Sequence, residues 1–232
     1  EGLFFLLLLA GAWLRVMHPA ITWDPAGWGS EKCVDFAWFN ALFHARHMPP
    51  ESPWMAGGSP NYYYFGHLVW ALLFKITGFA PAVDYNLAVA VLFALTGLAV
   101  FVAAWSLTGA RRWGVLALAL AVVGGNVDPL LQFWGGWTAG GGWDGFLVAW
   151  RTFDWWGASR PIPGAINEFP AFSFLLGDLH AHVSALPLTL VAIMILLHLE
   201  RVWRNAGGGH LDRLADGAAP LVVLGVVSGL LF

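Results

Sequence analysis

Long apolar runs alternate along the chain with two polar, aromatic segments. The apolar runs cover residues 2–16, 62–79, 85–107, 113–123, 183–199 and 218–232, and the polar segments cover 18–61 and roughly 126–182. Uninterrupted runs of this kind predict membrane helices, whereas an outer-membrane barrel has short alternating strands. We therefore predict an all-α, polytopic transmembrane protein whose residues 1–232 form a single membrane-embedded domain.

The composition supports a membrane protein and excludes several soluble classes. Hydrophobic residues make up 59% of the chain and charged residues 11%, against about 25% charged residues in an ordinary globular domain. The lipid bilayer is therefore the predicted environment. The chain has no basic run or polar low-complexity tract, which excludes a nucleic-acid partner and a disordered tail. Its single cysteine, Cys33, excludes a disulfide framework and a cysteine metal site within this chain.

The two ends of the chain predict a fragment truncated at both ends. The chain begins at Glu1 rather than at methionine, and it stops inside an apolar run shorter than the ~20 residues that a span needs. The run 2–16 is either a first span or the core of a signal peptide, and both interpretations stay open.

Basic residues in short connectors predict the orientation. Arg111 and Arg112 lie in a tight turn, and Arg201, Arg204 and Arg213 lie in a second connector, so both connectors are predicted to be cytoplasmic. Both polar segments then face the extracytoplasmic side of the cell membrane if 62–79 is a juxtamembrane helix that returns to its side of origin. We expect a first outer loop over 18–83, carrying juxtamembrane helices, and a second over 126–182.

The first candidate site lies in an amphipathic helix predicted over residues 31–47. Glu31 and Asp35 are four positions apart and share one helical face. This face is either solvated or part of a site in which one carboxylate is a general base, its pKa raised by its neighbour.

A second candidate site is the motif Asp178-Leu179-His180-Ala181-His182. Histidines two positions apart share a face only in extended or turn geometry, so the motif is predicted at a junction between a loop and a helix. Asp178, His180 and His182 are candidate ligands of a divalent metal or of a phosphate, although no cofactor is certain.

Aromatic and single polar residues complete the candidates. Tyr62, Tyr63 and Tyr64 cover nearly one helical turn, either as an interfacial aromatic belt or as a wall that stacks on a sugar or lipid head group. Asp128 is either a site acid or an exposed helix end. Arg160 pairs either with a phosphate or with Asp154.

The segment 60–67 resembles the YYY membrane protein family, a domain of uncharacterised function named for its tyrosine triplet. The resemblance extends over about residues 20 to 190, through Glu31-Lys32 and Asp35-Phe36-Ala37, and through the segments 54–58, 159–163, 166–170, 172–175 and 178–180. One departure is Ala181, where the family more often has proline.

That family is similar to the GT-C superfamily of integral-membrane glycosyltransferases, which implies a GT-C-like fold and a polyprenyl-phosphate sugar as donor. The resemblance implies that Glu31 or Asp35 is the catalytic base and that Asp128 matches a second acid. The remaining residues implied to bind substrate are Lys32, Asn61, Tyr62, Tyr63, Tyr64, His67, Arg160, Asn167, Glu168, Asp178, His180 and His182.

The predicted function is therefore transfer of a sugar from polyprenyl phosphate to an acceptor at the outer membrane face. Two alternatives belong to other classes: a non-catalytic scaffold that binds lipid head groups, and a transporter. A transporter would place its acids inside the spans near the midplane, whereas the acids here crowd the loops.

Overall fold

A computed structural model describes residues 1–22 and 32–205, and it is all-helical over them, without strands. Glu31 and the apolar run 218–232, both named in the sequence predictions, lie outside the described residues. The helices are α1 (Gly2–Met17), α2 (Lys32–His44), α3 (Phe65–Phe74, continued by the 3-10 turn Lys75–Thr77), α4 (Pro81–Thr108), α5 (Arg111–Leu118, continued by the π-helix Ala119–Gly124), α6 (Asp128–Ala139), α7 (Trp143–Arg151), α8 (Trp155–Ala158), α9 (Pro170–Leu176) and α10 (Ala181–Asn205).

Two of these helices are long and apolar enough to cross a membrane. They are α4 with 28 residues and the Ala181–Trp203 part of α10 with 23 residues. At 1.5 Å per residue, α4 is about 42 Å long and exceeds the ~30 Å hydrocarbon core. The apolar helices Gly2–Met17 and Phe65–Thr77 are shorter. The second one covers most of the run 62–79, whose juxtamembrane position stays a prediction.

Contacts at glycine residues give the relative directions of α1, α4 and α5. Gly11 of α1 approaches the backbone of Ala90, and Gly97 of α4 packs against Leu7, so α1 and α4 run antiparallel. Gly114 packs against Phe101, which makes the return helix α5 antiparallel to α4 as well. Small residues allow helices to approach this closely in the absence of water.

Helices α4 and α10 run parallel, and their ends differ in chemistry. At their C-terminal ends, Arg201 donates a hydrogen bond to the Ser106 carbonyl (3.0 Å). At their N-terminal ends, the Tyr85 hydroxyl accepts a hydrogen bond from the Leu179 amide (3.3 Å). The bundle therefore has a basic end, near the connector of Arg111 and Arg112, and an opposite end where both polar segments meet.

The hydrophobic core at the polar end joins five helices. Side chains from α2, α3, α4, α9 and α10 form one buried cluster that includes Phe39, Trp70, Tyr85, Phe174 and Val183. Helix α2 is therefore packed into the bundle through one face. Because Asp35 shares this helix, its carboxylate lies in the protein interior.

The structure corrects one local prediction. Tyr62, Tyr63 and Tyr64 precede α3, which begins at Phe65, so the triplet does not form a helical turn; the Tyr64 amide donates to the Tyr62 carbonyl (3.0 Å). In the second polar segment, α6 and α7 form a hairpin, closed where Gly136 approaches the carbonyl of Gly145. The predicted second outer loop therefore carries helices, and its place outside the membrane stays a prediction.

Candidate functional site

Asp35 lies in the first turn of α2 with its side chain fully buried. Its Oδ1 is 3.2 Å from Nε2 of His67 on α3, and its Oδ2 is 3.3 Å from Nδ1 of His180. Burial alone would raise the pKa of Asp35, but hydrogen bonds from His180 and His67 outweigh it and hold the pKa below its usual range. Asp35 is therefore an ionised interior carboxylate, so the interpretation of its helical face as solvated is wrong at this residue.

His180 lies in the loop before α10 and links three groups. Its Nδ1 faces Asp35 and is 3.7 Å from Oδ1 of Asp178, while its Nε2 is 3.4 Å from the Tyr62 hydroxyl. Hydrogen bonds to Asp178 and Asp35 raise the pKa of His180 to about 11, so its imidazole is cationic at neutral pH. Its side chain is 15% exposed, whereas those of Asp35 and His67 are fully enclosed.

Asp178 is a carboxyl group near its midpoint of ionisation at neutral pH. Burial raises its pKa to about 7; the nearby charge of Asp35 acts in the same direction, and His180 opposes it. The sequence prediction that the histidine pair lies at a junction is confirmed, because Asp178 and His180 precede α10 and His182 is its second residue.

The loop that carries Asp178 is fixed from two sides. Gly177 ends α9 in the left-handed conformation, with φ of +78°. The Tyr85 hydroxyl donates to the Gly177 carbonyl (3.1 Å) while it accepts from the Leu179 amide, and Arg15 donates to the Leu175 carbonyl (2.8 Å). Helices α4 and α1 thereby set the position of the motif.

A second group of charges adjoins this cluster. Oxygens of Glu168 lie 3.6 Å from Nη2 of Arg160 and 3.6 Å from Nε2 of His182. The rings of His182 and His180 are 5.3 Å apart, so the two groups are continuous. Arg160 pairs with Glu168 rather than with Asp154, because Oδ1 of Asp154 accepts from the Gly157 amide at the start of α8.

An apolar groove of about 510 Å³ opens next to His180. It lies between α3, α4 and α10, and its lining includes Val69, Leu95, Val102 and Val191. At its polar end it is bordered by Tyr63 and by Ala181, the residue after His180. A ligand with a long apolar chain and a polar head can therefore place the head beside His180.

Three side chains have the spacing for a metal ion. One ligand atom from each of Asp35, Asp178 and His180 lies within 4.8 Å of the others. The predicted metal group of Asp178, His180 and His182 therefore differs in one member, because His182 faces Glu168. Two carboxylates and one imidazole suit several divalent metals.

The other predicted residues lie around this centre. Tyr62 stacks on Trp38 with ring centroids 5.5 Å apart, and Tyr64 lies 6.5 Å from the same ring. Asn61 is exposed. The backbone amide of Asn167 donates a hydrogen bond to the Ser159 carbonyl (2.9 Å).

Asp128 lies in a different set of contacts. It is the first residue of α6, and its Oδ2 accepts a hydrogen bond from Gln132 (2.7 Å). Its backbone amide donates to Asn126. Glu31, the other candidate base, lies outside the described residues.

Sequence reasoning missed Arg15 and Tyr85. Arg15 is only 4% exposed, although it belongs to an apolar helix. A charged residue inside an apolar run is costly, and this cost was the available signal for Arg15. Tyr85 carried no signal, since a tyrosine near the start of an apolar helix is common at membrane interfaces.

Comparison with known proteins gives one match. The model of a family described as uncharacterized membrane protein (DUF2298) matches residues 1–232. No curated protein and no solved structure matches the chain. The match confirms the prediction of a membrane protein, and the wider resemblance to glycosyltransferases stays a prediction.

Proposed function

We propose that this chain, which belongs to the DUF2298 family of uncharacterized membrane proteins, carries the reaction centre of a membrane glycosyltransferase. The donor is a sugar on a polyprenyl phosphate, and the acceptor is a hydroxyl group at the extracytoplasmic face. The observation that carries the proposal is the position of His180, which belongs to a buried ionic cluster and directly precedes Ala181 in the lining of the apolar groove.

The groove supports a lipid-linked donor. Its lining is almost entirely aliphatic and aromatic, and it follows the long helices α4 and α10 away from the polar end. Burial of apolar area gives about 25 cal/mol per Å², so an isoprenoid chain gains affinity along such a surface. A soluble sugar nucleotide would gain nothing from it.

The charges at the mouth of the groove support a phosphate leaving group. The imidazolium of His180, held by Asp35 and Asp178, directly precedes Ala181 at the polar end of the groove. Arg160 belongs to the adjoining group of charges, where it pairs with Glu168. Its guanidinium also stacks on the ring of Trp156, at 4.5 Å from the ring centroid. Cations fixed before the reaction stabilise the negative charge that develops on a departing phosphate.

The chemical step needs a proton acceptor beside this cation. The acceptor oxygen forms a bond to the anomeric carbon as the bond from that carbon to the phosphate oxygen breaks. The bonding electron pair leaves with the phosphate, and the hydroxyl proton passes to the carboxylate of Asp178. Asp35 acts as a positioning residue, because both of its oxygens face imidazoles in the interior.

The test is an assay of donor cleavage by the full-length protein in liposomes. The probes are polyprenyl phosphates carrying mannose, glucose, galactose or arabinose, with released polyprenyl phosphate measured by mass spectrometry. We expect release from at least one donor, and a loss of about 10²–10⁴-fold in Asp178→Asn and His180→Gln. The exposed residues Asp144 and His47 supply matched controls, Asp144→Asn and His47→Gln, which should retain release.

Two outcomes would overturn the proposal. Release that is equal in Asp178→Asn and in Asp144→Asn would remove the site from the reaction. Absence of release from all four donors would favour the scaffold or transporter.

A further inference from the structure

Two cations are buried near the polar end of the bundle, and neither forms an ion pair with a carboxylate of the residues that the structure describes. Arg15 and Lys32 are each only 4% exposed. Among residues 1–22 and 32–205, no carboxylate oxygen lies within 4.0 Å of either side chain. From this pair we infer a binding site for a phosphate group.

The hydrogen bonds of both side chains go to backbone carbonyls. Lys32 donates to the Ala20 carbonyl (2.9 Å), and Arg15 donates through Nη2 to the Leu175 carbonyl. The Nε and Nη1 atoms of Arg15 are buried, and neither has a hydrogen-bond partner among the described parts of the chain. A guanidinium that only capped the C-terminal end of α9 would use one of its N–H donors for this purpose. The N–H groups at Nε and Nη1 of Arg15 therefore remain available for a ligand.

Gly177 brings the two cations together. A side-chain carbon at this position would lie 2.7 Å from Cζ of Arg15 and 3.2 Å from Cε of Lys32. Both side chains therefore border the same glycine. Burial and the charge of Arg15 lower the pKa of Lys32 to about 8, although the charge of Asp178 acts more weakly in the opposite direction. The effect of Arg15 is consistent with a close approach of the two cations.

A phosphate group fits the chemistry of this pair. Buried charges are stable when they are paired and hydrogen-bonded, and two neighbouring cations call for a ligand with more than one negative charge. A guanidinium holds two phosphate oxygens at once, and an ammonium group holds the third as a point charge.

The site adjoins the reaction centre, since Gly177 immediately precedes Asp178. The phosphate belongs either to a lipid head group or to free phosphate. The lipid source rests on the proposed function, because it would be the donor or product of that reaction. The free-phosphate source is independent of it.

The test measures equilibrium binding of two probes, inorganic phosphate and farnesyl phosphate, to the full-length protein in detergent. Lys32→Met should raise the Kd of at least one probe tenfold or more, and Lys32→Arg should retain binding. The matched control is the exposed lysine, in Lys75→Met, with a Kd unchanged within twofold. Arg15→Lys, which keeps the charge but loses the second donor, should weaken binding as well.

A second measurement separates ligand binding from a structural role. Without phosphate, Lys32→Met should raise the Tm, because it removes one of two cations that repel each other; a structural lysine would lower it. Added phosphate should raise the Tm of the natural chain and not that of Lys32→Met.

The outcomes are distinguishable. Binding of farnesyl phosphate alone identifies a lipid head group, and binding of inorganic phosphate alone identifies a free ligand. Binding of both assigns the recognition to the phosphate itself. No binding of either probe, or a Lys32→Met variant with a lower Tm or no fold, overturns the inference. Neither measurement needs turnover, so binding without donor cleavage would refute the transferase and leave the phosphate site standing.

Discussion

Nε2 of His67 lies 3.2 Å from Oδ1 of Asp35, and neither side chain is exposed to solvent. This contact joins α3 to α2 in the interior of the polar end. Because the second oxygen of Asp35 faces His180, the pair also sets where that imidazole lies. A change at His67 should therefore affect both the stability of the fold and the site.

Replacing His67 by phenylalanine should destabilise the protein by about 3 kcal/mol, since it leaves the buried charge of Asp35 with fewer partners. Chemical unfolding in detergent measures the change, and the exposed His44→Phe is the control. The double variant Asp35→Asn/His67→Phe should cost less than the sum of the single changes. Additive costs would mean that the two residues do not interact.

Tyr85→Phe should lower the free energy of unfolding by about 1–2 kcal/mol, because it removes the hydrogen bonds to Gly177 and Leu179. The same change should reduce kcat of the proposed transfer more than it raises KM, since the loop carrying Asp178 loses its anchor. Tyr63→Phe, at an exposed ring, serves as the stability control. Full stability in Tyr85→Phe would contradict the anchoring role.

Ala185→Trp should obstruct the apolar groove without touching the ionic cluster. We expect the KM to rise for a farnesyl donor as well as for donors with long polyprenyl chains, because Ala185 lies only one helical turn, about 6 Å, beyond Ala181 at the polar end of the groove. Ala139→Trp, at an exposed position on α6, is the matched control. A KM that is unchanged for both chain lengths would place the lipid elsewhere.

Lys32 should make stability depend on pH in the phosphate-free protein. Its pKa falls from 10.5 to about 8, so the folded chain binds fewer protons than the unfolded chain between those values. The penalty of burying the charge, at most about 3 kcal/mol, is complete below pH 8 and disappears as the pH rises to 10.5. The Tm of the natural chain relative to Lys32→Met should therefore increase across this window. A difference that does not vary with pH would show that Lys32 is not titrating there.

Chelation tests the three candidate metal ligands Asp35, Asp178 and His180. We expect donor cleavage to survive EDTA, because Arg15 and Lys32 already place two positive charges at this end of the bundle. If EDTA abolished donor cleavage and added zinc or manganese restored it, these three side chains would instead be the ligands of a metal ion.

The hydrophobic pattern predicted α4 and α10 well, because the length of an apolar run depends on local sequence alone. It also placed Asp35 on a helical face, yet its burial depends on His67 and His180, which are distant in sequence. The charge of Arg15 inside an apolar run was a signal in the sequence, but its contact could not be predicted, because the carbonyl that it contacts belongs to Leu175, 160 positions away.

The tyrosine triplet shows the opposite error. Helical spacing was assumed for Tyr62, Tyr63 and Tyr64 because an apolar run follows them. In the structure, stacking of Tyr62 and Tyr64 on Trp38 accompanies a helix start at Phe65. Contacts between aromatic rings of different elements cannot be predicted from spacing within one element.

The backbone at Gly177 has a consequence for how this part of the molecule changes during evolution. A side chain there would need an unfavourable φ of +78° and would occupy the volume of the Arg15 guanidinium. Positions 15 and 177 should therefore covary. A relative with a side chain at 177 must carry a smaller residue at 15. It would then have a different set of charges at the C-terminal end of α9.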